Sequence, residues 1–258
     1  MGKYDAVILA GGVTSGELKK IAPYDSEALI IIGSFPMIHY VYKAVKESPS
    51  IRNVIISGPL DSLREYFKKD DNLIFAPAGE DAVESFAKAV STVGIDNLTE
   101  RVLVLPCDIP FITPQAIEDF IRQCEEHEAD FHYAIVKKAV NEKKFPGVVR
   151  TYVKIREGVF TGGNLFLVKT AVVFRCIDIG KKLVANRKNP MAIARLFGLR
   201  LLLRFLTRRL SIQDAEKRFQ EVVGIKGKAI ISDYPEVGVD VDKPSDLKLA
   251  ERILGKRG

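Results

Sequence analysis

Three short stretches of this 258-residue chain carry groups able to act on a phosphate ester. The first is Gly11-Gly12, which ends the apolar run Ala6-Val7-Ile8-Leu9-Ala10. Paired glycines after a buried strand leave no Cβ between backbone N–H groups and an incoming polyphosphate, so amide dipoles can reach its oxygens. The same pair also suits a plain strand-to-loop turn. The second is Asp108, which follows Val102-Leu103-Val104-Leu105 and so falls at the carboxyl edge of a parallel sheet, where open α/β sheets bind ligands. Its hard oxygens suit a Mg²⁺ that keeps several waters and shares substrate phosphates. An Asp between Pro106 and Pro110 also suits a turn. The third is Val239-Asp240-Val241-Asp242-Lys243-Pro244-Ser245-Asp246. Alternation along a short strand turns Asp240 and Asp242 to one side, so that one of them can meet Asp108. Pro244 then opens a final helix, and Asp242 and Asp246 also complement its positive end.

Two better-known phosphate motifs fail on this loop. Gly11 and Gly16 have P-loop spacing, but Glu17 and Leu18 stand where Lys and Ser/Thr are needed. A dinucleotide fingerprint needs G-x-G-x-x-G and a ribose-binding acid after the second strand, and the strand at Val54–Ser57 ends in Gly58-Pro59 instead. The three cysteines, 107, 124 and 176, have neither metal-ligand nor disulfide spacing and read as reduced thiols. Cys107 reads better as a buried strand-end residue than as a reactive thiol. His39, His127 and His132 need no catalytic role if the nucleophile is an oxygen of the substrate.

The elements that must position these groups alternate in the manner of βαβ units. Strands are expected at Ala6–Ala10, Val54–Ser57, Leu73–Ala76 and Val102–Leu105, with helices at about Pro36–Lys46, Asp61–Phe67 and Glu80–Val93 and another from Thr113-Pro114. Further strands are expected at Ala134–Val136, Val148–Val153, Leu165–Val168 and Ala229–Ile231, with helices dominating 170–222. The reading is one α/β domain over 1–258, a Rossmann-like, mostly parallel sheet with helices on both faces and a helical insertion at about 170–226. Val13 to Ala28 lacks periodicity and reads as a loop that orders around substrate. The first strand follows the amino terminus so directly that no signal peptide is expected, and no apolar run approaches the about 20 residues of a spanning helix. The expected location is cytoplasmic.

The net charge of +6 is local. Between Ile179 and Gln213 there are nine basic residues and no acidic one, leaving 30 basic against 33 acidic elsewhere. General nucleic-acid binding is therefore not expected. Within Leu196–Arg209, Arg200, Arg204 and Arg208 recur every four residues on an otherwise apolar helical pattern. That stripe suits either a subunit interface, as in a homodimer, or peripheral contact with a membrane or an anionic lipid-like acceptor.

Together these pieces resemble the molybdenum-cofactor guanylyltransferase-like NTP transferases, nucleotidyltransferases with a glycosyltransferase-A-like fold. The resemblance runs through Leu9-Ala10-Gly11-Gly12, Gly33-Ser34-Phe35-Pro36-Met37-Ile38, Leu105-Pro106-Cys107-Asp108-Ile109-Pro110-Phe111-Ile112 and Val241-Asp242-Lys243-Pro244-Ser245-Asp246-Leu247, essentially the whole chain. Thr161-Gly162-Gly163-Asn164 and Asn189-Pro190 look like a bacterial subgroup of unassigned substrate. The resemblance implies that Leu9, Ala10, Gly11 and Gly12 hold the base and phosphates, joined by Gly79 to Ser85. It implies that Asp108 and Asp242 bind Mg²⁺, and that Gly162, Gly163 and Asn164 face the acceptor. The implied reaction moves a nucleoside monophosphate from an NTP, CTP or GTP foremost, to a phosphorylated or hydroxylated acceptor with loss of pyrophosphate. Two departures stand out: Glu27 occupies a position where relatives carry Lys, and Phe35 replaces the Lys of Gly-Lys-Pro. Lys19 or Lys20 would then have to fold over the triphosphate. A nucleotide-binding regulator that has lost catalysis and an NDP-sugar glycosyltransferase are the alternatives.

Overall fold

The computed structural model describes residues 2–14, 16–68, 70, 73–186, 198, 204, 205 and 207–255. The strands of its central sheet are β1 (Tyr4–Leu9), β4 (Ile51–Gly58), β5 (Leu73–Pro77), β6 (Arg101–Pro106), β7 (Phe131–Lys137), β8 (Val153–Ile155), β9 (Gly158–Lys169) and β10 (Gly227–Ser232), and a separate small ribbon pairs β2 (Ile31–Ile32) with β3 (Phe35–Pro36). The sheet is ordered β10-β7-β9-β6-β1-β4-β5, with β8 paired to β9. Pairings among β1, β4, β5 and β6, and between β7 and β10, are parallel, whereas β9 runs antiparallel to β6, β7 and β8. β1 and β6 are nearly continuous runs of buried apolar side chains, as a central strand covered on both faces requires.

Helices α2 (Met37–Lys46) and α5 (Pro114–Glu125) cover one face, where Ile38, Val41, Ile117 and Phe120 pack on Ala6, Ile8 and Leu103. Helices α4 (Ala82–Val93) and α7 (Val173–Asn186) cover the other, with Phe86, Val90, Val173 and Ile177 on Val7, Val102 and Val104. The helix starts are written locally. Thr113 accepts from Ala116 N at 3.2 Å ahead of Pro114, and Asp81 accepts from Glu84 N at 2.8 Å. A capping box of Ser211 and Asp214 opens α8 (Ile212–Val223). Further helices among the described residues are α1 (Gly16–Ile21), α3 (Leu60–Tyr66), α6 (Lys138–Lys144) and α9 (Pro244–Leu254).

Four sequence expectations need correction. The strand expected at Val148–Val153 is irregular over most of its length, and pairing begins only at Val153, in β8. The segment Val13–Ala28 contains α1, because Leu18 and Ala22 are buried against Leu247 and Ala250 of α9, a long-range contact that no local period reports. Val239–Asp242 forms no ladder. The arginine stripe does not run on to Arg208, whose φ of 57° ends helical geometry there. Arg204 is ion-paired with Asp214, and Arg200 lies outside the described residues, as do Asn189 and Pro190.

Candidate active site

The carboxyl edge of the sheet gathers the three stretches. β1 ends at Leu9, whose carbonyl accepts from Cys107 N at 3.0 Å, while Ala10 N donates to Ser57 O at 2.7 Å. These bonds align the Gly11-Gly12 turn beside Asp108. A Cβ on Gly11 would come within 3.0 Å of Ser85 Oγ and 3.1 Å of Ala78 Cβ, and Gly79 N donates to Ser85 Oγ at 2.9 Å. Gly11, Gly79 and Ser85 therefore pack against one another, with bare backbone where a bulkier residue would not fit.

Asp108 is brought to the C-terminal acidic stretch by one backbone bond, Val241 N to Asp108 O at 2.8 Å. One carboxylate oxygen from each of Asp108, Asp240 and Asp242 then lies within 4.8 Å of the others. Asp108 Oδ1 is buried without a hydrogen-bond partner. An orphaned buried carboxylate oxygen facing two further carboxylates fits a hard divalent cation, which would supply the missing partner. Burial first, and then Asp240, Asp242 and Glu27, push the Asp108 carboxyl well above the usual carboxylate range. Asp240 is pushed up to about 6 by burial, against the pull of the Arg150 guanidinium and with Asp242 adding to the rise.

Glu27 belongs to the same acidic cluster. Its N–H donates to Gly12 O at 3.1 Å, and its Oε2 lies so close to Gly12 that a Cβ there would collide with it. Burial, followed by Asp242 and Asp240, raises its carboxyl. Where relatives are expected to carry a lysine, this chain thus places a fourth carboxylate against the glycine turn.

The lysines expected over the triphosphate are engaged within their own loop. Lys19 Nζ donates to Tyr24 O and Asp25 Oδ1, each at 2.7 Å, and Lys20 pairs with Glu17 at 2.5 Å. Among the described residues, the cation ion-paired with the cluster is Arg150, which sequence reasoning missed. Its Nη2 is 2.8 Å from Asp240 Oδ1, its Nη1 is 3.8 Å from Asp246 Oδ2, and it also donates to Asp240 O. Arg150 sits in an irregular stretch, so nothing in its neighbourhood of sequence marks it.

Gly162 and Gly163 fall in β9 where its register with β7 shifts between Tyr133 and Ile135. A Cβ on Gly162 would overlap Tyr133 Oη, and one on Gly163 would sit 2.8 Å from Ala134 O. Gly163, which meets backbone, is thus required by packing, whereas at Gly162 the atom met is the hydroxyl end of the Tyr133 side chain. Asn164 Nδ2 donates to Val237 O at 3.1 Å, tying β9 to the 3-10 turn Pro235–Gly238 that leads into Asp240.

A family model described as the MobA-like NTP transferase domain matches residues 6–206, which carry the glycine turn and Asp108. The chain belongs to the MobA-like NTP transferase family. A protein from Thermus thermophilus described as a hypothetical transferase is 33% identical, with a TM-score of 0.81 over 95% of this chain and 99% of that one. Among curated relatives, a bifunctional protein GlmU from Geobacter metallireducens is 29% identical over 126 residues, 47% of this chain and 25% of GlmU. A molybdenum cofactor guanylyltransferase from Shewanella sediminis is 25% identical over 130 residues, 50% of this chain and 61% of that protein. The MobA-like chain thus spans only part of these curated relatives. A CMP-2-keto-3-deoxy-manno-octonic acid synthetase complexed with CTP, 13% identical, shares the fold with a TM-score of 0.61 over the full length of both chains.

Proposed function

We propose that this chain is a magnesium-dependent nucleotidyltransferase that moves a nucleoside monophosphate from CTP or GTP to a phosphorylated or hydroxylated acceptor and releases pyrophosphate. The carrying observation is the convergence of Asp108, Asp240 and Asp242 beside the Gly11-Gly12 turn, with Asp108 Oδ1 left unpartnered. Bound there, Mg²⁺ would neutralise charge that grows on the phosphates. Asp108 and Asp242 would hold it, with Asp240 fixed by Arg150 as the third carboxylate. Gly11 and Gly12 present main-chain N–H groups to the phosphates, and Gly79 with Ser85 closes the wall that the base would meet. An acceptor oxygen attacks the α-phosphorus in line, the new P–O bond forming as the bond to the bridging oxygen breaks and pyrophosphate departs with that electron pair. No protein nucleophile takes part. Among the described residues no helix is long and apolar enough to cross a membrane.

Thermal unfolding with each NTP, with and without Mg²⁺, tests the reading. CTP or GTP should raise the midpoint in a Mg²⁺-dependent manner, and Asp108→Asn should remove the shift. If no NTP stabilises the protein at any Mg²⁺ concentration, the reading is wrong.

A further inference from the structure

The Glu27 carboxylate adjoins a turn suited to anions. Gly11 and Gly12 offer main-chain N–H groups to phosphates, yet Glu27 Oε2 overlaps the place of a Cβ on Gly12, and Glu27 Cδ lies 3.2 Å from that place. A short ribbon holds the carboxylate there. Glu27 N donates to Gly12 O and Thr14 N to Asp25 O, each at 3.1 Å, with Val13 paired to Ser26 between them. Ala28 and Ile30, both fully buried, anchor the residues that follow.

The carboxylate is also uncompensated. Among the described residues no cation and no hydrogen-bond donor meets it, and the neighbouring charges that act on it, Asp242 and Asp240, are both negative. Basic groups of the site are engaged elsewhere: Lys19 with Tyr24 O and Asp25, Lys20 with Glu17, and Arg150 with Asp240 and Asp246. Glu27 is not one of the three carboxylates whose oxygens lie within 4.8 Å of one another, but its charge reaches all three.

An NTP brings several further negative charges to this turn. Two unit charges about 5 Å apart, at an effective dielectric of about 20, change an equilibrium by about two orders of magnitude. Glu27 therefore repels a triphosphate that arrives at the metal-free site. A divalent cation offsets that repulsion, and the same carboxylate adds to the attraction that holds the cation. Asp108 Oδ1, buried without a partner, gives such a cation its place independently of Glu27.

We propose, on the transferase reading given above, that Glu27 couples cation to nucleotide: its carboxylate keeps the triphosphate off the Gly11-Gly12 turn until a divalent cation is held by Asp108 and Asp242. The cation enters first and the nucleotide second. Glu27 is thus a positioning residue, which selects the order of binding and takes no part in the transfer itself. The coupling is reciprocal, so the factor by which the cation strengthens the nucleotide is also the factor by which the nucleotide strengthens the cation.

Calorimetry of CTP and GTP binding to the full chain, in Mg²⁺ or in EDTA at about pH 8, above the ordinary carboxylate range, measures that factor. In the wild-type protein Mg²⁺ should strengthen binding by at least about a hundredfold. Glu27→Gln should tighten binding in EDTA by about tenfold or more, and Glu27→Lys by about a hundredfold, so that the effect of Mg²⁺ shrinks accordingly. Without nucleotide, both variants should weaken Mn²⁺ binding by about tenfold or more in electron paramagnetic resonance titrations. Glu128→Lys makes the same change of net charge at an exposed position between α5 and β7, at the amino edge of the sheet, and should alter neither affinity. Glutamine has the shape of glutamate, so Glu27→Gln carries the test if Glu27→Lys does not fold.

An equal effect of Mg²⁺ in the wild type and in Glu27→Gln overturns the proposal and leaves the transferase reading standing. So does wild-type binding that is as tight in EDTA as in Mg²⁺. Weaker nucleotide binding by the variants in EDTA also overturns it, because Glu27 would then serve the shape of the turn. If neither nucleotide binds the wild type even with Mg²⁺, the transferase reading fails and this role fails with it.

Discussion

Val241 donates its N–H to the carbonyl of Asp108 at 2.8 Å, and this bond joins a strand end to a segment far later in the chain. Asp240 and Asp242 flank Val241, so the same bond sets both carboxylates beside Asp108. Val239 and Val241 are buried and act as the anchors, while the alternating aspartates are left to face the glycine turn.

Asp108→Asn and Asp242→Asn should each remove Mn²⁺ binding measured by electron paramagnetic resonance, and should lower metal-dependent turnover by about two orders of magnitude or more. Neither should destabilise the metal-free protein in urea, since each removes one charge from a crowded acidic cluster. Undiminished Mn²⁺ binding in both variants would place the cation elsewhere.

Arg150→Ala should destabilise the protein by about 3–5 kcal/mol in urea unfolding, because it leaves Asp240 and Asp246 without their cation. Mg²⁺ should recover part of the loss by neutralising Asp240. A variant as stable as wild type, with and without Mg²⁺, would show that the ion pair carries no weight.

Asp5 is buried at the amino end of β1, away from the glycine turn. It accepts from Arg52 Nε at 3.0 Å, Arg52 Nη2 at 2.8 Å, Asn53 Nδ2 at 3.0 Å and Thr99 N at 2.9 Å. Asp5→Ala should cost about 3 kcal/mol or more. Nucleotide affinity of the folded fraction should stay unchanged in calorimetry; a large loss would mean that this edge is coupled to the site.

His132 is fully buried on β7, with Nε2 2.9 Å from His127 O. Burial above all, with Arg101 contributing, lowers its pKa from the ordinary 6.5. The folded state therefore favours the neutral ring. Its contribution is fully present above pH 6.5 and is lost as pH falls from there through the folded value. His132→Gln should flatten the acid side of the stability curve between about pH 7 and 5, the range in which an ordinary histidine titrates. Identical slopes in the two proteins would assign the acid loss to other groups.

The parallel half of the sheet was legible because Ala6–Ala10 and Val102–Leu105 are unbroken apolar runs that only a doubly covered strand requires. Asp108 was legible for the same reason, since the run that ends at Leu105 places it at the edge. Arg150 and α1 were not. Leu18 is buried by α9 and Arg150 is held by Asp240, and both partners lie far along the chain, where no local period reports them. Glu27 was visible as a missing lysine, but its place against Gly12 depends on the fold of the turn. The apolar cavity between the sheet, α4 and α7 has no sequence signature, because its lining residues are the same apolar types that fill a solid core.

The antiparallel strand β9 sits between β6 and β7, so β7 and β10 reach the first half of the sheet only through it. On the ribosome, β1, β4, β5 and β6 emerge first and can pair at once, but β7 must wait for residues 158–169 before it has a neighbour in that sheet. At about 5–20 residues per second, the 134 positions from Asp108 to Asp242 take roughly 7–27 s to synthesise. During that interval the nascent chain carries the glycine turn and one aspartate without their C-terminal partners. Assembly of the three carboxylates is thus deferred until Asp242 has been made, and a chain that stalls before Val241 would expose an unfinished sheet to chaperones and proteases.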